Sequence, residues 1–390
     1  MKIVRFKYSA FFLLFFLPFI ASSVNISVHI YSTSPVNSVI VAPSVGKYVV
    51  LADGKTIDSC NSQSVYEITI LKDSVVLKAL GKTIGKFASV RFHGYGIRNQ
   101  FNIRPISTTS KTTRLYDDDL IASSETTELK LLNISQIEHY IAGVIESEAG
   151  RKKPLEYFKV QAIICRTYAL TNLAKHILEG CELCDGVHCQ VYQGAATTPL
   201  VIEAVEATKN MVLVDVNDQL IDAAFHSNCG GYTLNSEDVW NAPLSYLKSV
   251  RDTFCLHQPS AVWEKHFSTE TWENYFNKKE KGLRKDTLRK EAFWDSIPME
   301  TRIYMYDRGY VIPLKDIRLD LNLHSTCFSI VHDSNGVTLH GRGYGHRVGL
   351  CQEGAIHMSQ IGYNYQQILH YYYTDVQLID FTILPSSGFN

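Results

Sequence analysis

Residues 137–150 read Ile137-Glu-His-Tyr-Ile-Ala-Gly-Val-Ile-Glu-Ser-Glu-Ala-Gly150, and after Arg-Lys-Lys-Pro154 the chain continues Leu155-Glu-Tyr-Phe-Lys-Val-Gln-Ala-Ile-Ile-Cys-Arg-Thr-Tyr-Ala-Leu170. Ile137, Ile141, Val144 and Ile145 recur at the spacing of one helix face, and the next position on that stripe, i+4 from Val144, is Glu148. A carboxylate therefore stands where a leucine would be expected. Gly150 stops this helix, and Pro154 suits the first turn of another. There Leu155, Phe158, Ala162, Ala169 and Leu173 repeat an apolar stripe, and Arg166 falls on it. Each of two consecutive helices thus aims one ionisable group inward, where charges are seldom found without a partner or a task. Periodicity alone leaves two readings open: a structural Glu148–Arg166 ion pair, or a functional site.

With 390 residues and 45% hydrophobic content, the chain supports a sizeable core as one large or two modest domains. Lys plus Arg (38) nearly cancels Asp plus Glu (39). No global field therefore favours nucleic acid or an anionic membrane, and a neutral or zwitterionic polymer is the easier partner. At the start, Lys2, Arg5 and Lys7 precede the apolar run Phe11 to Ile20 and the small residues Ala21-Ser-Ser23. This pattern matches a secretory signal peptide over residues 1–23, with an uncleaved membrane anchor as the alternative. The expected location is outside the cytoplasm, in the periplasm or cell envelope.

Residues 24–110 show short alternating runs separated by Pro, Gly and Asp-Gly turns, a small N-terminal β-rich module. Residues 111–390 mix helical and strand patterns, with a charged helical insertion expected over 260–300. The fold class is α+β.

Of nine cysteines, Cys181, Cys184 and Cys189 crowd into one loop with His188 and near His176. Cys184, His188 and Cys189 with His176 can close a tetrahedral shell around zinc, and Cys181 competes for the place of His176. A closed shell without a water ligand is structural rather than catalytic. One disulfide among the three cysteines is the alternative.

Further on, His226-Ser-Asn-Cys-Gly-Gly231 follows a strand. Gly230 and Gly231 permit a tight loop where a backbone approaches a ligand, with His226 and Ser227 at its mouth. A Ser-His hydrolase would need a nucleophile elbow, and no Gly-x-Ser-x-Gly occurs there. Trp240 can stack on a sugar ring or serve the core. In Gly341-Arg-Gly-Tyr-Gly-His346 no Lys-Ser/Thr follows, so neither dinucleotide nor P-loop chemistry is supported. His346 with Gln352, just before a helix, makes a polar-site candidate.

Taken in order, Tyr140-Ile-Ala-Gly-Val-Ile-Glu-Ser-Glu148, Lys159 to Ala169, Cys189-Gln-Val-Tyr-Gln-Gly194, Phe225 to Thr233, Ser245-Tyr-Leu247 and Gly343 to Ala355 resemble the sporulation stage II protein D (SpoIID)/LytB family over roughly residues 114–380. Its characterised enzymes are peptidoglycan lytic transglycosylases. The resemblance implies Glu148 as catalytic acid/base, Arg166 and Tyr246 as further functional residues, and a zinc-holding loop of His176, Cys184, His188 and Cys189. It also implies peptidoglycan glycan strands as substrate. Other members enhance a cell-wall amidase or bind wall without cutting it, which is the competing expectation. A zinc hydrolase acting on stem peptides would need an open metal position, against which the crowded loop argues. Two departures stand out: Arg347 and Glu353 occupy positions where the family often has Gly and an aromatic, and Ala149-Gly150 replaces Met-Pro.

Overall fold

The computed structural model describes residues 24–106, 112–125, 127–240, 242–279, 284–285, 296–307 and 309–384, so the leader-like run 1–23 lies outside the described residues. Period-two alternation dictates the first third. In Glu128–Gln136, for instance, Leu129, Leu131, Asn133 and Ser135 all turn inward. Ten strands result: β1 (Asn25–Ile30), β2 (Ser38–Ala52), β3 (Lys55–Cys60), β4 (Tyr66–Leu71), β5 (Ser74–Ala79), β6 (Lys82–Phe87), β7 (Ser89–Pro105), β8 (Arg114–Asp117), β9 (Asp119–Glu125) and β10 (Glu128–Gln136). Two helices follow, α1 (Ile137–Ala149) and α2 (Leu155–Thr171), then the short β11 (Leu183–Cys184) and α3 (Pro199–Ala207).

The strands form one sheet in the order β11-β1-β10-β9-β7-β2-β4-β5-β6, with β3 on β2 and β8 on β7. β1 runs antiparallel to β10 and parallel to β11. The sheet thus passes straight through position 110, and strands from both sides of it share one apolar core with α1 and α2. The fold is α+β.

Beyond α3, β12 (Met211–Val214) pairs with the last strand of the chain, while β13 (Phe225–His226) and α4 (Ser236–Trp240) lead towards a satellite unit. That unit holds β14 (Val262–Ser268), α5 (Thr269–Lys279), β15 (Arg284–Lys285), β16 (Tyr304–Asp307), β17 (Tyr310–Pro313), α6 (Leu314–Asp320), β18 (Cys327–Asp333) and β19 (Gly336–Arg342). It has a core of its own around Trp272, Phe276, Ile317 and Leu339. The helical expectation for 260–300 therefore needs correction. Val262–Ser268 alternates between exposed and half-buried positions and pairs with β19 as a strand, leaving α5 as the helix among the described residues there. The chain ends with β20 (Leu350–Cys351), α7 (Gln352–Gln360), α8 (Tyr365–Tyr372) and β21 (Gln377–Asp380). Among the described residues, no helix is long and apolar enough to cross a membrane.

Candidate functional site

Gly150, with φ of 72°, breaks α1 one residue after Ala149, so Glu148 sits in the final turn. A strap of chain, residues 190–198, wraps this end of the helix. Val191 N donates to Glu148 Oε1 at 2.8 Å, Gln193 N to Ser147 Oγ at 3.0 Å, and the N–H groups of Thr197 and Thr198 to Glu146 Oε2 at 2.9 Å each. The strap lies so close that a Cβ on Gly143 would run into the Gly194 carbonyl. Burial raises the pKa of Glu148, opposed by the Val191 N–H.

One stripe of α2 faces this carboxyl group. The Glu148 charge is felt at Tyr157 and Cys165, both fully buried, and Gln161 stands between them at helical spacing. Gln352, the first residue of α7, lies beside Tyr157. The Nε2 atoms of Gln161 and Gln352 are buried with no hydrogen-bond partner among the described residues. Buried donors are rarely left so, and two of them on either side of Tyr157 mark a place that a polar ligand can complete.

Arg166 is elsewhere and does not pair with Glu148. Its guanidinium is fully buried and grips Glu138, with Nε at 3.1 and 3.2 Å from the two carboxylate oxygens and Nη2 at 2.5 Å from Oε2. Nη1 donates to Met211 O at 3.0 Å, and Asn210 N donates to Glu138 Oε1 at 3.3 Å. Glu138 is in the first turn of α1 and Glu148 in its last, about 15 Å apart along the axis at 1.5 Å per residue. The pair locks α1, α2 and the turn before β12 together. It leaves Glu148 with no cation among the described residues.

The two glycine-rich segments meet. β13 pairs in parallel with β20, and Asn228 and Tyr344 exchange backbone hydrogen bonds of 3.0 and 2.7 Å. His226 Nδ1 lies 3.1 Å from Val348 O, so this nitrogen carries the proton and the buried Nε2 presents a lone pair without a partner. The rings of His226 and His346 are 5.4 Å apart, and that of Trp240, 40% exposed, is 5.3 Å from His346. Ser227, Gly230 and Gly231 belong to the same loop. Ser227 O accepts Glu353 N at 3.0 Å, which joins the loop to α7. The two departures have structural roles. Arg347, at φ of 68°, takes a left-handed conformation that glycine adopts readily, and its buried guanidinium donates to Cys229 O at 2.9 Å and Tyr232 O at 3.0 Å. Glu353 accepts from Ser260 Oγ and Asn228 Nδ2, both at 2.5 Å.

Tyr246 is buried, and its hydroxyl accepts Asp222 N at 3.1 Å. Burial raises the pKa of the Asp222 carboxyl, opposed by Lys175. Asp222 was not anticipated from the sequence, since no period or motif marks it.

The candidate metal ligands converge. His176, Cys184, His188 and Cys189 bring one ligand atom each within 4.8 Å of all the others, whereas Cys181 stays outside this group with its sulfur near His176 O. His176 Nε2 and His188 Nδ1 are 3.2 Å apart, close to the separation of about 3.3 Å that two nitrogens take at 2.0–2.1 Å from a tetrahedral zinc. His176 Nδ1 lies 2.9 Å from Glu179 Oε1, which orients the ring in the manner of a carboxylate behind a metal-bound imidazole. The donor set fits a zinc-class ion. Its loop is anchored to the sheet through β11 and through Asp185, which accepts Tyr31 N at 2.7 Å, and it runs directly into the strap that holds Glu148.

Residues 125–214, from β9 through both helices and the metal-ligating loop to β12, match the model of the SpoIID family, described as stage II sporulation protein. The chain is 29% identical over 279 residues to an uncharacterized protein of Brachyspira hyodysenteriae, covering 68% of this chain and 70% of that one. It is 29% identical over 258 residues to stage II sporulation protein D of Bacillus subtilis, covering 62% of this chain and 74% of the relative. To the amidase enhancer of the same organism it is 26% identical over 292 residues, which spans 62% of this chain and 40% of the enhancer. Residues 125–214 thus carry a SpoIID-family region, and about two thirds of the chain aligns with stage II sporulation protein D and similar proteins.

Proposed function

We propose that this protein is an exported lytic transglycosylase that cuts peptidoglycan glycan strands between N-acetylmuramic acid and N-acetylglucosamine, with Glu148 as its single acid/base. The observation that carries the reading is the condition of Glu148: a carboxyl group raised in pKa by burial, at a helix end, paired with one backbone N–H and, among the described residues, no cation. Glycosidases ordinarily need two carboxylates. A transglycosylase manages with one because the 6-hydroxyl of the sugar, held close by its own covalent link, is the nucleophile. The protonated Glu148 gives its proton to the bridging oxygen as the C1–O bond breaks, and the carboxylate then takes the 6-hydroxyl proton as O6 bonds to C1. A 1,6-anhydro sugar results with no water consumed.

The other residues bind and orient. Trp240 beside His346 offers a face to a sugar ring, while the unpaired amides of Gln161 and Gln352 offer donors to acetamido and hydroxyl oxygens. Tyr246, with Asp222, and the Gly230-Gly231 loop complete the same wall in this reading. His176, Cys184, His188 and Cys189 would hold a zinc ion in a closed shell that supplies rigidity and no open coordination position. The loop they form fixes Val191, whose N–H grips Glu148.

The relative named amidase enhancer favours a second reading, in which the chain assists a cell-wall amidase without cutting glycan. Mass spectrometry of products from purified glycan strands separates the two. The enzyme releases anhydro-muramyl ends alone, and Glu148→Gln abolishes them, whereas an enhancer releases nothing until an amidase is added. Normal anhydro product from the Glu148→Gln protein would sink the assignment.

A further inference from the structure

A second group of ligands lies on the other side of Gln352. Cys229, Asp252, Cys255 and Cys351 are all fully buried, and they bring one ligand atom each within 4.8 Å of every other. They come from three separate stretches: the loop after β13, the segment 252–255, and the residue that caps α7. Cys229 Sγ lies 3.5 Å from Cys255 Sγ and 3.3 Å from Asp252 Oδ2. At Zn–S of about 2.3 Å and Zn–O of about 2.0 Å, a tetrahedral ion sets neighbouring sulfurs about 3.8 Å apart and a sulfur and an oxygen about 3.5 Å apart. The group is within a few tenths of an ångström of that shape.

We infer that Cys229, Asp252, Cys255 and Cys351 bind a second zinc-class divalent ion, distinct from the one fitted by the His176–Cys189 loop. Three observations carry it. First, the number and kind of groups: one disulfide would use two sulfurs and leave a third beside a buried carboxylate, whereas an ion engages all four. Second, the surroundings of the sulfurs suit thiolates. The N–H groups of Cys229 and Gly354 donate to Cys351 Sγ at 3.3 and 3.4 Å, and those of Gly230 and Gly231 face Cys255. Third, Asp252 is fully buried, yet its hydrogen-bond partners among the described residues, Tyr372, Phe254 and Cys229, include no cation. A buried carboxylate without a positive partner is costly, and a divalent ion supplies one.

The ion would tie the His226–Gly231 loop, the 252–255 segment and the start of α7 into one unit, fixing Gln352 from behind. The inference does not depend on Glu148 being an acid/base.

Elemental analysis of the whole protein, purified without chelator or metal-affinity resin, tests it. We expect two zinc ions per chain in the wild type, one in Cys184→Ser, one in Cys255→Ser and none in the double variant. Should Cys255→Ser fail to fold, cobalt substitution of the Cys184→Ser protein gives a second readout: thiolate-to-cobalt charge-transfer absorption that shifts in the Asp252→Asn version. A wild type with one ion that survives Cys184→Ser and is lost with Cys255→Ser also supports the second site. Zinc content unaffected by both Cys255→Ser and Asp252→Asn, or a Cys229–Cys255 disulfide in a non-reducing peptide map, would overturn it.

Discussion

Glu148 and Glu138 occupy one helix and receive opposite treatment: one is matched to a buried guanidinium, the other is left in an uncharged setting with a single N–H. Because its folded pKa is raised, ionised Glu148 costs stability above its unfolded value, and the cost disappears at lower pH where both states are protonated. Glu148→Gln keeps the acceptor for Val191 N–H, so its Tm should rise relative to wild type at neutral pH and converge with it in acid, while glycan cleavage falls about 10²–10⁴-fold. In the wild type, cleavage should decline as pH climbs through the raised pKa, since the step begins from the protonated carboxyl group. Glu138→Ala behaves in the opposite way. It leaves Arg166 buried and unpaired, and denaturant titration should show a loss of about 3–5 kcal/mol.

At the scale of elements, the strap over α1 is what turns a helix end into a site, and Gly143 sets its distance. Gly143→Ala would drive the strap, at Gly194, off α1 and cost about 1–3 kcal/mol by overpacking, read by thermal melting, with a drop in cleavage although no reacting group has changed. Much of this architecture could be read from the sequence, and some that was missed could have been. Glu138 and Arg166 are equidistant from Lys152 in the turn between the helices, so folding the chain back at that turn opposes them and sets Glu148 against the Leu155–Tyr157 end. The apolar stripe of α2 drew attention to Arg166. The parallel stripe of Tyr157, Gln161 and Cys165, which faces the carboxyl group, has the same period and went unremarked. The crowding of Cys184, His188 and Cys189 exposed the first ligand group, but Cys229, Asp252, Cys255 and Cys351 are joined by tertiary packing and no spacing announces them. At Val262–Ser268 the adjacent Glu264 and Lys265 lead into the charged helix that follows and mask an alternation of period two.

For the whole molecule, the interior histidines set an acid limit. Burial holds His346 down to about 4 and His226 well below its ordinary value, so both are neutral in the folded protein. Their contribution to stability is complete above about pH 6.5 and is lost as pH falls towards the folded value, because the unfolded chain takes up the protons first. Thermal melting between pH 7 and 4 should show a steep decline, and His346→Gln, which can still donate to Phe225 O, should flatten it. The sheet imposes a different kind of limit. β1 sits between β10 and β11, and β7 pairs with both β8 and β9, so each half of the chain covers the other's open hydrogen-bonding rims. A recombinant fragment starting at residue 111 would bare a long row of unpaired amides and carbonyls on β9 and β10, the kind of surface on which chains stack into aggregates. What looks in the sequence like a detachable front module therefore acts as a guard against self-association.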